Sequence, residues 1–309
     1  MTPDREQMLR PPIHQGYNGG YFAFPSISPR GDSVAWGFAV DFQKGRSPYP
    51  ARFALGVYSL SRERWKHFGD FDDIGTTAYS SDGSKIAFVA RTNGKQQLLI
   101  FDVAKESWTT APYPTGGLRN GAAMSWSPDS KRLVVEVQHG GLPYSAGQTS
   151  KPDAHINPVI AVLELETGHV RVLAEGSNPG WSPDGQWIAY YDPEAAKCLL
   201  VHPDGTGNRV VKRFKRPRFY FFAETSFVWF GPVWSPDSKQ MLFTSSDSEP
   251  YVDVMLLDLS TGRTTTKLKK ALPIFGWATA TDIHRIRDQR QRASGPASVS
   301  PERWIAAHR

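Results

Sequence analysis

One nine-residue phrase, Trp181-Ser182-Pro183-Asp184-Gly185-Gln186-Trp187-Ile188-Ala189, constrains this chain more than anything else in it, because the sequence repeats it. Trp126-Ser127-Pro128-Asp129-Ser130-Lys131-Arg132-Leu133 and Trp234-Ser235-Pro236-Asp237-Ser238-Lys239-Gln240-Met241 are close copies. Tyr79-Ser80-Ser81-Asp82-Gly83-Ser84-Lys85-Ile86 and Ile27-Ser28-Pro29-Arg30-Gly31-Asp32-Ser33-Val34 are looser ones. A sixth, one residue shorter, is Val299-Ser300-Pro301-Glu302-Arg303-Trp304-Ile305-Ala306. Each reads as an apolar strand end, a tight turn and an alternating second strand. Proline presets the φ of the first central turn position, Asp bonds back to the backbone, and Gly supplies positive φ where the chain reverses. The phrase is therefore the connection of a β-hairpin.

The marker serines Ser28, Ser80, Ser127, Ser182, Ser235 and Ser300 are separated by 52, 47, 55, 53 and 65 residues. That period is one four-stranded sheet long, and strand repeats at that period build a propeller in which each repeat is a blade. Trp-Ser-Pro-Asp-Gly followed by an Ile-Ala run resembles the repeat of TolB-like β-propellers. The same repeat occurs in the propeller domains of prolyl-oligopeptidase-type peptidases and in oligogalacturonate lyases. The resemblance spans about residues 22–306. It implies an all-β, six-bladed propeller with an incomplete sixth blade; the alternative is five closed blades plus a C-terminal tail. Residues 21–309 are expected to form this one domain. Residues 1–20 form a polar tail, from which about Met8–Gln15 is expected to add a strand to the last sheet and close the ring.

Lys and Arg number 36 against 30 Asp and Glu, a net charge of +6 that speaks to association and not to fold. Cys198 is the single cysteine, which excludes an intrachain disulfide; its apolar run Cys198-Leu199-Leu200-Val201 predicts a buried, inert thiol. The N-terminus shows no apolar signal-peptide core, and no apolar run approaches the ~18 residues of a membrane span. A cytoplasmic location is the direct expectation, although TolB-like proteins are often exported.

In antiparallel blades the hairpin turns of the repeat share one end of the sheets with the turns joining third and fourth strands. Loops between second and third strands, and connections between blades, gather at the other end. Every long segment falls there: Asp41–Ala51, Gln138–Asn157, Arg213–Phe227 and Lys269–Ser294. Function sits on loops carried by a rigid scaffold, which places the candidate binding surface at this loop-rich end, around the channel mouth. The candidates are Arg46 and Tyr49 in the first loop, and His139, Tyr144, Asp153 and His155 in the second. Arg213, Arg216, Arg218 and Tyr220 come from the basic, aromatic third insertion. A second basic run, Arg285, Arg287, Arg290 and Arg292, lies one connection further on.

No metal site is expected: His139 and His155 have no compact ligand motif around them, and metal binding needs three or four converging donors. Neither a cofactor-binding phosphate loop nor a Gly-x-Ser-x-Gly nucleophile elbow occurs, so the peptidases' catalytic half is not expected either. Asp70, Asp72 and Asp73 read as a solvated inter-blade turn, and Trp126, Trp181 and Trp234 as core between blades. The expectation is a non-enzymatic scaffold that binds a protein or peptide through its loop-rich end. The alternative is an enzyme or binding protein for an anionic carbohydrate at the channel mouth. The basic insertions suit an anionic ligand, but neither matches a nucleic-acid recognition motif, and nucleic acid is not the expected partner.

Overall fold

In the computed structural model, residues 25–41, 52–60, 62, 64–113, 122–138, 158–192, 194–214, 232–248 and 251–271 are described. They form five four-stranded sheets with neighbouring strands in chain order. The first sheet comprises β1 (Ser26–Ile27), β2 (Ser33–Asp41), β3 (Arg52–Ser59) and β4 (Arg64–Phe71). The second comprises β5 (Asp73–Tyr79), β6 (Lys85–Thr92), β7 (Lys95–Asp102) and β8 (Ser107–Thr110). The third comprises β9 (Met124–Trp126), β10 (Arg132–Gln138), β11 (Pro158–Glu164) and β12 (Val170–Glu175). In the fourth are β13 (Ser177–Trp181), β14 (Ile188–Asp192), β15 (Lys197–Val201) and β16 (Arg209–Arg213). In the fifth are β17 (Val233–Trp234), β18 (Gln240–Ser248), β19 (Tyr251–Asp258) and β20 (Thr264–Ala271). The sixth copy of the repeat, and the N-terminal stretch expected to close the ring, lie outside the described residues.

Alternation along each second strand stacks the sheets face to face. In β6, Ile86, Phe88 and Ala90 pack back onto Ala35, Leu55 and Phe71 of the first sheet. Ala87 and Val89 point the other way, onto Trp126, Leu133 and Val135 of the third. Since side chains alternate across a strand, a strand buried on both faces must be a continuous apolar run, as Ile86-Ala87-Phe88-Val89-Ala90 is. The same division recurs in the fourth sheet. There Ile188 and Tyr190 face Val134 and Ile160 behind, while Ala189 faces Trp234 and Met241 ahead. Trp126, Trp181 and Trp234 are all buried, as the sequence implied. Two of them also tie sheets together, with Trp126 Nε1 donating to Ala78 O and Trp234 Nε1 to Gly180 O, each at 2.9 Å. Cys198 is buried in the core between the fourth and fifth sheets, and burial pushes its thiol up to about 12.

The repeated turn is built the same way five times. Its serine, buried in every copy, bonds an Asp and the backbone that returns. Ser182 Oγ donates to Asp184 Oδ1 at 2.6 Å and accepts from Trp187 N at 2.9 Å. Ser80 does this with Asp82 and Lys85, Ser127 with Asp129 and Arg132, and Ser235 with Asp237 and Gln240. The first copy carries Arg30 where the others carry Asp, and Asp32 supplies the carboxylate instead, 2.7 Å from Ser28 Oγ. Removing such a serine leaves a buried N–H and a carboxylate short of a partner, a cost of about 1–3 kcal/mol.

Three residues after each marker serine the backbone takes positive φ: 65° at Gly31, 74° at Gly83, 57° at Ser130, 76° at Gly185 and 58° at Ser238. That position also meets the preceding turn, in two alternating ways. Where it is glycine, the preceding proline closes over it: an added Cβ would lie 3.4 Å from Pro29 at Gly83 and 3.5 Å from Pro128 at Gly185. Where it is serine, the hydroxyl accepts the preceding Asp N–H, Asp82 N to Ser130 Oγ at 3.1 Å and Asp184 N to Ser238 Oγ at 3.0 Å. A non-glycine residue in the left-handed region costs about 1–2 kcal/mol, and this inter-turn bond offsets it. The five turns form a continuous chain.

These carboxylates make the fold acid-sensitive. Burial pushes the Asp82 carboxyl up, but hydrogen bonds from Ser80 and Ser84 outweigh it and bring it down to about 2. A carboxyl held below its ordinary value stabilises the fold fully above that value and loses the contribution as pH falls toward the lowered one. Unfolding free energy should therefore decline between roughly pH 4 and pH 2. Asp82→Asn should be less stable at pH 7 and show a shallower decline across that window; an identical pH profile for the variant would contradict this.

Candidate functional site

At the loop-rich end, the acidic stretch is not the solvated turn that the sequence suggested. β4 continues through Phe71 and β5 begins at Asp73, leaving only Asp72 between them. Two arginines make this tight crossing tolerable. Arg52, at the start of β3, places Nε 2.5 Å from Asp70 Oδ1 and Nη1 2.7 Å from Asp72 Oδ1, and its Nη2 donates to the Asp70 carbonyl at 2.7 Å. Asp72 Oδ2 also accepts from Gly94 N at 3.1 Å, and Arg91 lies 3.7 Å from Asp73. The hydrogen bond from Arg52 holds the Asp70 carboxyl below its usual range. These charges are spent on joining the first sheet to the second. At the next seam but one, Glu136 Oε2 accepts from Asn178 N at 2.9 Å and holds the connection into the fourth sheet, where Asn178 has φ 52°.

Of the ten candidate residues, Arg213 alone lies among the described ones. It is the last residue of β16, exposed, opposite Lys197 on β15. Arg46, Tyr49, His139, Tyr144, Asp153, His155, Arg216, Arg218 and Tyr220 lie outside the described residues. The strands from which their segments depart, β2, β10 and β16, all end at the same side of the sheets. Among the described residues, no group of three or more His, Cys, Asp and Glu is placed to hold a metal ion. Nor is any helix there long and apolar enough to cross a membrane.

A feature that sequence reasoning passed over lies at the opposite, turn-bearing end. An open groove of about 470 Å³ runs between the third and fourth sheets, bounded by Arg132, Arg171, Gln186, His202 and Asp204. Arg132 opens β10, on the face that carries Val134 into the seam. Its guanidinium lies 5.0 Å from the centre of the Trp181 ring and 3.0 Å from Asp129 Oδ2. Arg171 stands two residues before Leu173, which packs into the same seam, and its exposed side chain has no hydrogen bond or ion pair among the described residues. On the far wall the His202 ring stacks on Trp187 with centroids 3.8 Å apart; Arg209, outside the groove lining, lies 4.8 Å from the centre of the same indole.

His202 marks a break in the repeat. In four sheets the residue following the third strand donates its N–H to the carbonyl four places past the marker serine. These are Leu60 to Asp32, Val103 to Ser84, Leu165 to Lys131 and Leu259 to Lys239, at 2.8–3.1 Å. In the fourth sheet β15 ends one residue earlier, and the register (Ile188 opposite Val201) makes Pro203 the equivalent residue, which has no N–H to give. The His202 side chain fills the vacancy, Nδ1 lying 2.8 Å from Gln186 O. A carbonyl only accepts, so Nδ1 is the donor in this bond. The signal was legible in principle: proline stands at this place in one repeat and an apolar residue in the other four.

The fold so defined is a β-propeller built from TolB-type repeats. No family model matches the chain, and no curated protein matches it. Solved structures do match. A putative TolB from Agrobacterium tumefaciens aligns with a TM-score of 0.58 at 17% identity, over 82% of this chain and 84% of that one. TolB from Acinetobacter baumannii aligns at 0.57 and 15% identity, over 81% of this chain and 55% of that one, so this chain spans about half of that relative's length. An oligogalacturonate lyase in complex with manganese aligns at 0.51 and 17% identity, over 78% and 63% of the two chains. At these identities the likeness is one of fold, and at that level the resemblance read from the repeat to TolB-like propellers holds.

The Pro203–His202 substitution of one donor for another makes a prediction. His202→Ala should cost about 1 kcal/mol through the lost bond to Gln186. Pro203→Ala restores a backbone donor, so it should cost less in the His202→Ala background than in the native chain. Urea unfolding of the double-mutant cycle reads this coupling; strict additivity would contradict it.

Proposed function

We propose that this protein is a non-enzymatic interaction scaffold that holds a protein or peptide partner at its loop-rich end. The observation that carries the reading is the division of labour between the two ends of the sheets. At one end the connections are short, uniform and bonded to each other from sheet to sheet. From the other depart long segments, including residues 42–51 and 139–157. Of the charges described at that end, Arg52 is paired with Asp70 and Asp72, and Arg91 with Asp73. A rigid support presenting variable loops is the usual way in which such folds recognise partners.

The ring is part of the same proposal. In the second, third and fourth sheets, the second-strand residues six and eight places past the marker serine pack onto the sheet before, and in the fifth Met241, six places past, does the same. In the first sheet these are Val34 and Trp36. On that face Trp36 meets Trp65 with centroids 4.1 Å apart, Tyr58 lies 4.6 Å from Trp65, and neither buried indole N–H has a partner among the described residues. The leading face of the fifth sheet likewise carries Leu242, Val254 and Leu256. Residues 272–309, with the Ser300 copy of the turn, are proposed to fill the place between these faces as an incomplete sixth blade, completed by a strand from within residues 1–20. On this reading 21–309 is one domain.

Loop replacement tests the function. Variants in which 42–51 or 139–157 gives way to a short Gly-Ser turn should keep the native melting temperature and lose the partners recovered by affinity capture with the native chain. Partners retained by both variants would count against the reading. Turnover of an acidic oligosaccharide, with or without a divalent metal, would establish the carbohydrate alternative in its place.

A further inference from the structure

We infer that the groove between the third and fourth sheets is a second recognition site, separate from the loop-rich end, and that it takes a carboxylate-bearing segment of an acidic peptide or protein. Its third-sheet wall brings Arg132 and Arg171 together, and the carboxylates nearby already accept hydrogen bonds. Asp129 is paired with Arg132 and accepts from Ser127 and Lys131 N. Asp204 accepts the Thr206 N–H at 2.8 Å and the Thr206 hydroxyl at 2.7 Å through one oxygen, and these bonds hold its carboxyl below the usual range. Arg171, by contrast, has no partner among the described residues and faces the 202–206 turn across the seam.

Arg132 is fixed in advance. With its guanidinium over Trp181 and one edge on Asp129, it loses little further freedom on meeting a ligand, and a planar fork is suited to a carboxylate. His202, on the opposite wall, is fixed by the Trp187 ring and the Gln186 carbonyl. The groove is also where the repeat departs from its own rule, since Pro203 removes a hydrogen bond kept in the other four sheets. Local departures from an otherwise consistent pattern concentrate at functional sites.

The shape selects the class of ligand. A small-molecule site encloses most of its ligand's surface, whereas this groove is open along its length and lined by polar groups. An open cationic groove gains specificity from charge pairing with a partner that brings further contact area of its own. An acidic side chain carried on an extended segment fits it: the carboxylate sits between Arg132 and Arg171 while the chain runs along the seam.

The test is fluorescence anisotropy with a short fluorescein-labelled peptide of alternating Asp and Gly, titrated with the intact chain at low salt. Arg171→Ala leaves the packed side chains untouched and should weaken binding about tenfold. Arg171→Lys, which keeps the charge without the fork, should lie between. Arg263→Ala, an exposed arginine in the outer turn of the fifth sheet, should bind as the native chain does. Equal losses for Arg171→Ala and Arg263→Ala would show only general attraction of a basic protein for an anion and overturn the site. Undiminished binding by Arg171→Ala overturns it too. So does tighter binding of single-stranded oligothymidylate with the same dependence on Arg171, which would make the groove a phosphate-backbone site.

Discussion

A buried serine hydroxyl, shared between a carboxylate and a returning backbone N–H, is the interaction on which the rest of this structure depends. It sets the hairpin between the first and second strands of each sheet, and so fixes which residues of the second strand face forward and which face back. Without that register, Ile86, Phe88 and Ala90 could not all meet the first sheet while Ala87 and Val89 meet the third. A slip of one residue would exchange the two sets and pair each with the wrong neighbour. The same turn then reaches its neighbour, by a proline closing over a glycine or by a serine hydroxyl taking an Asp N–H. Registry within a sheet and spacing between sheets are thus set by one nine-residue phrase.

That coupling explains where variation is allowed. The turn-bearing end cannot lengthen without separating the turns, and its connections stay short. At the other end, no bond repeats from turn to turn among the described residues. Its described crossings are held by charge pairs and a carboxylate-to-backbone bond peculiar to each seam, Arg52 with Asp70 and Asp72 at one and Glu136 with Asn178 N at another. Even at the constrained end, variation enters wherever a substitute bond exists. Asp32 replaces the missing motif Asp of the first copy, and His202 replaces the N–H that Pro203 lacks. The second substitution brings an imidazole and an indole together beside Arg132 and Arg171.

The all-β class, the blade period, the inter-sheet tryptophans and the inert Cys198 were legible because each is written locally and repeated. Strand boundaries followed the same way, with Ser33, Arg52, Lys85 and Arg132 opening strands where the alternation begins. The tight crossing at Asp70–Asp73 was not legible, because three carboxylates in four residues read as a solvated turn until Arg52 and Arg91 are brought beside them. The groove was hidden for a related reason. Arg132, Arg171 and His202 are 39 and 31 residues apart in sequence and converge only when the third and fourth sheets stack. The candidate residues at the loop-rich end, Arg213 excepted, fall outside the described residues, so their arrangement rests on the position of their segments.

The central claim is that the chain of turns continues past Ser235 to the copy at Ser300 and from there returns to the first sheet. Where the third residue past a marker serine is glycine, as it is at Gly31, the proline of the preceding turn lies over it: Pro29 over Gly83 and Pro128 over Gly185. Pro301 should then lie beside the turn that contains Arg30. The direct measurement is intramolecular cross-linking of cysteines introduced at Arg30 and Pro301, in a Cys198→Ser background, with a short bismaleimide. The account predicts an efficient link within the folded monomer, with a yield independent of protein concentration and lost on unfolding. No link, or one formed only between separate chains, would contradict it.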